Sequence, residues 1–389
     1  MKKGRFISLV LCFALGFGLG RSSFLDNLSF PSFSWPEFHF SFDFLHGLPF
    51  FSSDPSSSVQ SSTESIQINT IQVKESNNQE ILFPYRSSPY DLSEYGGIYQ
   101  RDRDFSNITF PQAQKTPSRE EVLELASFMD GDFAFILENT EAEYNFMEWW
   151  DDKETLVDSF ATAIHEQTHQ LTSQYETKSA QSIPYEQMAR VEINGETVRY
   201  NHGMAVYLGE GYLLQVDITD VFDSIHMAQT IPQELRSVRY NTYLGDNYQV
   251  GSRLEGIYGL LNEYVAYYWG AKAELDLLKL YHDEITYPQF GMIRQTNDVF
   301  LPYAEFTYWI LTYLDFSKEY DPAVYEGIIN NDAFKQAFTF IYQNYGALAQ
   351  ELLTYTDTIV SSSKEDYDRL MKEINTSSSL QTCLKELTS

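Results

Sequence analysis

His165-Glu166-Gln167-Thr168-His169 is the stretch on which the reading of this chain turns. Residues four apart share one face of a helix, so both imidazoles can reach a single ion. Glu166, beside the first histidine, can reach a water on that ion without ligating it. Five residues therefore hold two ligands and a general base. The setting reads as helical: Val157, Phe160, Ala161, Ile164, Leu171 and Tyr175 recur at the helical period without an intervening Pro or Gly, and Asp151 with Glu154 three residues on marks a start. The expectation is an active-site helix over about residues 151–175, its apolar stripe buried beside a cleft.

A catalytic zinc takes three protein ligands and leaves a fourth position for water. The remaining histidines are His39, His46, His202, His226 and His282, and none follows closely behind His169. A carboxylate on a later helix is the better candidate. The run Gly259-Leu260-Leu261-Asn262-Glu263-Tyr264-Val265-Ala266-Tyr267-Tyr268 has helical apolar periodicity and places Glu263 inside a hydrophobic helix. An unpaired carboxylate is costly there, whereas one bound to a cation is not. His165, His169 and Glu263 form the expected metal set.

Further out, Ser118 and Glu121 after Thr116-Pro117 form a capping box, followed by Val122, Leu125, Ala126 and Met129 at helical spacing. The stretch 188–250 reads as β-rich, with a hairpin over Val191–Val198 turning at Asn194-Gly195. From Gly251 to the end the pattern is helical again, as in Phe334, Phe338, Ile341, Tyr342 and Tyr345. The fold class expected is α+β, helix-dominated, with a β-rich block inserted.

The N-terminus supplies an address. Met1-Lys2-Lys3-Gly4-Arg5 is basic and Phe6–Gly20 is uncharged and mostly apolar, so residues 1–22 read as a signal peptide or N-terminal membrane anchor. Residues 23–85 are Phe- and Ser-rich with Pro31, Pro36 and Pro49, a low-complexity stalk. Residues 86–389 are left for the catalytic domain. The expected location is extracellular or at the cell surface, with the N-terminus as the means of any membrane association.

Composition removes whole classes of function. Acidic residues outnumber basic ones 55 to 26 in 389, a net charge of −29, and such a surface repels phosphate backbones, so nucleic acid is excluded as a partner. The only cysteines are Cys12 and Cys383, which excludes a disulfide scaffold and any cysteine-built metal site. With 28 Tyr and 28 Phe, thick aromatic packing between helices is expected.

His165-Glu166-x-x-His169 followed by Asn262-Glu263 resembles the gluzincin branch of the zincin metallopeptidases. Asn262-Glu263-x-x-Ala266-x-Tyr268 is similar to the Asn-Glu-x-x-Ala-x-Tyr of that branch's aminopeptidases. The resemblance covers these two short segments. It implies a zincin-like domain, Zn2+ held by His165, His169 and Glu263, and hydrolysis of peptide bonds in extracellular proteins or peptides. In the mechanism it implies, zinc lowers the pKa of its water and polarises the scissile carbonyl. Glu166 takes the water proton and passes it to the leaving amine. A Tyr or His stabilises the oxyanion; the candidates are Tyr267, Tyr268, Tyr240, Tyr243 and His226. Tyr267, one turn from Glu263 on the same face, is the choice among them. Two other classes compete: a non-catalytic zincin-fold adhesin or binding module, and a zinc amidase acting on cell-wall peptide. The intact Glu166 weighs against the first, and the acidic charge against approach to an anionic wall weighs on the second.

Overall fold

Ser118 starts the first helix, α1 (Arg119–Met129), through the expected capping box: its hydroxyl accepts from the Glu121 amide at 3.2 Å while the Glu121 carboxylate accepts from the Ser118 amide at 2.7 Å. Asp130 ends α1, and α2 (Gly131–Thr140) follows directly. A 3-10 turn at Phe146–Trp150 leads to α3 (Phe160–Ser179), which carries the two histidines. The computed structural model describes residues 115–140, 145–150, 155–157, 159–179, 189–193, 196–200, 203–245, 250–281, 299–353 and 361–389, all belonging to one compact unit. The expected signal or anchor and the stalk lie outside the described residues, as do His39, His46, His202 and His282.

The histidine helix begins later than its sequence suggests. Leu156, Val157 and Ser159 are in turns, and the first helical bond runs from Ala163 N to the Ser159 carbonyl at 2.8 Å. The Thr155 carbonyl is taken by the Trp150 indole N–H at 3.1 Å, an alternative to the helical ladder. Leu156 and Val157 are nevertheless buried, so apolar residues that read as part of the stripe reach the core from the turn. The start signal at Asp151 and Glu154 lies outside the described residues.

Four strands follow. β1 (Ala189–Ile193) pairs antiparallel with β2 (Glu196–Tyr200), Ile193 opposite Glu196, in the register a two-residue connection requires; Asn194-Gly195 itself lies outside the described residues. β3 (Gly203–Tyr207) pairs antiparallel with β4 (Leu213–Asp217), and every residue of β3 is buried, packed on α3. The expected β-rich block ends there. Beyond Asp217 the described backbone forms helical turns at Ile225–Ala228, Gln233–Leu235 and Tyr240–Tyr243 and a short helix at Val250–Leu254. Tyr240 and Tyr243 are β-prone residues, yet both are buried in a helical turn, and the Tyr240 hydroxyl donates to the Ala228 carbonyl at 2.8 Å. Tertiary packing overrides strand propensity in this region.

The centre of the fold is α4 (Gly256–Tyr281), 26 residues long and therefore about 39 Å. It is apolar nearly all round, with Leu260, Leu261, Tyr264, Val265, Ala266, Tyr268 and Trp269 at or near zero exposure, the pattern of a helix surrounded by protein. α3, α5 (Leu301–Tyr320) and α7 (Asp332–Leu352) pack against it. α6 (Pro322–Ile329), α8 (Ser361–Thr376) and α9 (Ser378–Leu387) complete the helical shell. Asn331 caps α7 by accepting from the Phe334 amide at 3.0 Å, and the expected Phe334, Phe338, Ile341, Tyr342 and Tyr345 all face inward. The aromatic excess resolves into ring clusters between helices: Tyr264 lies 6.1 Å from Phe306 and 5.7 Å from Tyr345, while its hydroxyl bonds Thr307 at 2.8 Å. Helices dominate and the strands are few, which is an α+β arrangement at the coarse level. Among the described residues, no helix is long and apolar enough to cross a membrane.

Candidate metal centre

α3 turns Ala163, Ile164, Thr168 and Leu171 into the core, with the Thr168 hydroxyl folded back on the Ile164 carbonyl at 2.7 Å. His165, Glu166 and His169 are left half-buried on the adjoining side. α4 meets that side with one face, on which Asn262, Ala266 and Gly270 recur at intervals of four, as do Glu263 and Tyr267. Close approach depends on Gly270: a Cβ there would stand 3.1 Å from the His165 Cβ and 3.3 Å from the Ala161 carbonyl. A second glycine works at the other end of the face. A Cβ on Gly259 would lie 1.9 Å from the Ser252 carbonyl oxygen, so only glycine lets the Val250–Leu254 helix press onto α4 and bring Ser252 to the site. Each glycine costs a helix interior about 1 kcal/mol relative to alanine, and here each permits a contact at the cluster.

Three ligand atoms converge. His165 Nε2 and His169 Nε2 are 3.2 Å apart, His169 Nε2 and Glu263 Oε2 are 3.3 Å apart, and His165 Nε2 and Glu263 Oε2 are 4.0 Å apart. Ligands about 2.0–2.1 Å from a tetrahedral zinc stand roughly 3.3–3.4 Å from one another. Two edges match that spacing and the third is longer, so the three residues fit a group that could hold a metal ion. Each is also oriented from behind. His169 Nδ1 meets Asn262 Oδ1 at 3.2 Å, and the His165 ring bonds the Ala266 backbone, leaving both Nε2 atoms facing inward. Ser252 donates to Glu263 Oε1 at 2.8 Å, leaving Oε2 for the cluster.

The electrostatics describe a crowded site. Burial, and then the charge of His169, push His165 down to about 3. Burial alone would lower His169 too, but the Glu263 carboxylate, its hydrogen bond, Glu166 and Asn262 carry it up to about 9. For Glu263, burial pushes upward and is outweighed by His169, His165 and Ser252, which hold the carboxyl below its ordinary range. Burial pushes Glu166 up to about 7 against the pull of His169. Without a cation, the cluster is a His169–Glu263 ion pair beside a neutral His165.

Of the tyrosine candidates, Tyr267 meets the cluster: its ring packs edge-on against the His165 ring, centroids 4.6 Å apart. Tyr243 joins it through a hydroxyl–hydroxyl contact of 2.9 Å. Tyr268 sits on another face of α4 among Trp269, Phe340 and Tyr345. Tyr240 spends its hydroxyl on Ala228 and His226 stacks on Tyr320. The sequence does not declare the supporting roles of Ser252, Asn262 and Gly270. Asn262-x-x-x-Ala266-x-x-x-Gly270 is the one local signal, a stripe of small side chains beside an amide.

Asn262→Ala is expected to weaken metal binding by about 10–100-fold, read by competition with a chromophoric chelator; unchanged affinity would mean that His169 is oriented without the amide. No family model, no curated protein and no solved structure matches this chain, which leaves the convergence of His165, His169 and Glu263 as what speaks for a metal.

Proposed function

We propose that this chain is an exported zinc metallopeptidase of the gluzincin type, built on a zincin-like domain and acting on peptide bonds of extracellular proteins or peptides. The observation that carries the reading is the approach of His165 Nε2, His169 Nε2 and Glu263 Oε2 to one another, with Glu166 one residue from the first ligand. Two neutral imidazole nitrogens and one carboxylate oxygen are the donor set of a catalytic zinc with an open fourth position. When bound there, zinc supplies Lewis acidity to a water and to the scissile carbonyl.

The protein's own part follows from where its groups stand. Glu166 is outside the ligand set, and burial brings its carboxyl to about 7; a cation among the ligands draws it lower. A carboxylate in that range takes a proton from water and returns it to the departing amine. Tyr267, against the His165 ring, offers a hydroxyl to the oxygen on which charge develops. Export rests on the basic start and apolar run of residues 1–20.

The test is metal analysis of the purified protein with hydrolysis of a library of internally quenched peptides. One equivalent of zinc is expected, with cleavage abolished by a chelator and restored by zinc. Protein free of zinc, or cleavage indifferent to chelation, overturns the reading.

A further inference from the structure

Behind Tyr267 stands a charged pair that the ligand geometry does not explain. Glu305, on α5, has no exposure to solvent, and its Oε2 accepts from Arg239 Nη1 at 3.0 Å. The same carboxylate accepts from the Arg239 backbone amide through Oε1 at 3.4 Å, so Glu305 grips both the head and the root of the arginine. Held in this way, Arg239 turns Nε to the Tyr267 hydroxyl, donating at 3.3 Å, and lays its guanidinium 5.3 Å from the Tyr267 ring centroid. A buried ion pair is a poor way to stabilise a fold, because its desolvation offsets most of its attraction. Its use is geometric: a planar guanidinium fixed at one edge presents its Nε in one direction.

The hydroxyl chemistry carries the argument a step further. Tyr243 Oη and Tyr267 Oη share one contact at 2.9 Å, so the two phenols have two protons and need only one between them. Arg239 is a donor without acceptor capacity and occupies a lone pair of Tyr267. One O–H of the pair is therefore left to donate elsewhere, and the Tyr267 ring that carries one of the two phenols packs edge-on against the ring of the ligand His165, centroids 4.6 Å apart. We propose that Arg239 is a positioning residue which, clamped by Glu305, fixes the Tyr267 hydroxyl beside the His165–His169–Glu263 cluster so that the tyrosine pair presents one hydrogen-bond donor to the group bound there. What that donor does in hydrolysis rests on the peptidase reading; the positioning itself does not.

The experiment compares the wild type with Arg239→Lys, which keeps a charge opposite Glu305 but loses the fork, and with the neutral pair Arg239→Met and Glu305→Met together, which leaves neither charge buried alone. In crystal structures of the variants, the Tyr267 ring is expected to leave its edge-on contact with His165; an unmoved Tyr267 overturns the proposal, whatever the protein's activity. In solution the probe is acetohydroxamate binding to cobalt-loaded protein, followed by visible absorption. Its Kd is expected to rise on the order of 10–100-fold in Arg239→Lys, similarly in Tyr267→Phe, and no further when the two are combined. Additive losses overturn the proposal, since an arginine acting only on the fold adds to the loss of the hydroxyl. A protein that takes up neither cobalt nor zinc overturns the peptidase reading, and the position of Tyr267 still decides the role of Arg239.

Discussion

Glu166→Gln is expected to lower peptide hydrolysis by about 10²–10⁴-fold while the protein keeps its zinc. The change is isosteric, so the half-buried pocket of Glu166 is not vacated and α3 keeps its packing. None of the three converging ligand atoms belongs to residue 166, so metal affinity has no first-order reason to fall. What disappears is a carboxylate that stands next to the first ligand in the chain and is not itself one of the three. The neutral amide also removes a negative charge that pulls His169 upward, so the metal-free variant gives up the His169 proton more readily. The measurement is turnover of one quenched peptide alongside zinc content. Retained turnover would remove Glu166 from the chemistry, and loss of zinc with turnover would make it a ligand instead of a base.

How much of this site is legible in the sequence depends on how local each piece is. His165 and His169 are one helical turn apart, so their convergence is written into five residues. Glu263 is readable only by chemistry, as a carboxylate among Leu260, Leu261, Tyr264 and Val265 where nothing apolar would welcome it. That it lands on the histidines depends on helices whose contact residues, His169 and Asn262, are 93 positions apart. Gly270 sets the closeness of that contact and Gly259 that of α4 with the Val250–Leu254 helix, and a glycine inside a helix announces a close approach without naming the partner. Arg239 and Glu305 are 66 positions apart, with no spacing rule to join them. The strands past Asp217 fail for the converse reason. Val238, Tyr240 and Tyr243 carry strand propensity, but the aromatic surface of α5, where Tyr243 meets Phe306 at 5.2 Å, holds the segment in helical turns.

Glu263→Gln is expected to weaken zinc binding by more than the about 10–100-fold that loss of a supporting hydrogen bond costs. The amide keeps the shape of the side chain and an oxygen, so Ser252 and the packing of α4 are preserved, but the anionic ligand is gone. The same substitution has a second readout in the metal-free protein, because Glu263 is the main reason His169 is raised from the ordinary 6.5 to about 9. A histidine held high binds its proton more tightly folded than unfolded. Its contribution to stability is therefore complete below about 6.5 and is lost as the pH rises through about 9. Wild-type metal-free protein should lose part of its stability across that window, and Glu263→Gln should flatten the dependence by removing the partner. The neutral His169 of the variant escapes the full penalty of a broken buried pair, since it can shed its proton instead of remaining charged and unpaired. The stability difference between the two proteins should accordingly be largest at the acid end of the window. Zinc binding to the wild type must displace the same proton, so its affinity should climb with pH up to about 9. Denaturant titrations of both metal-free proteins between these limits, with zinc titrations of the wild type, measure all of this. A zinc affinity that is flat in pH, or that Glu263→Gln leaves intact, would take Glu263 out of the ligand set and return the site to a pair of histidines.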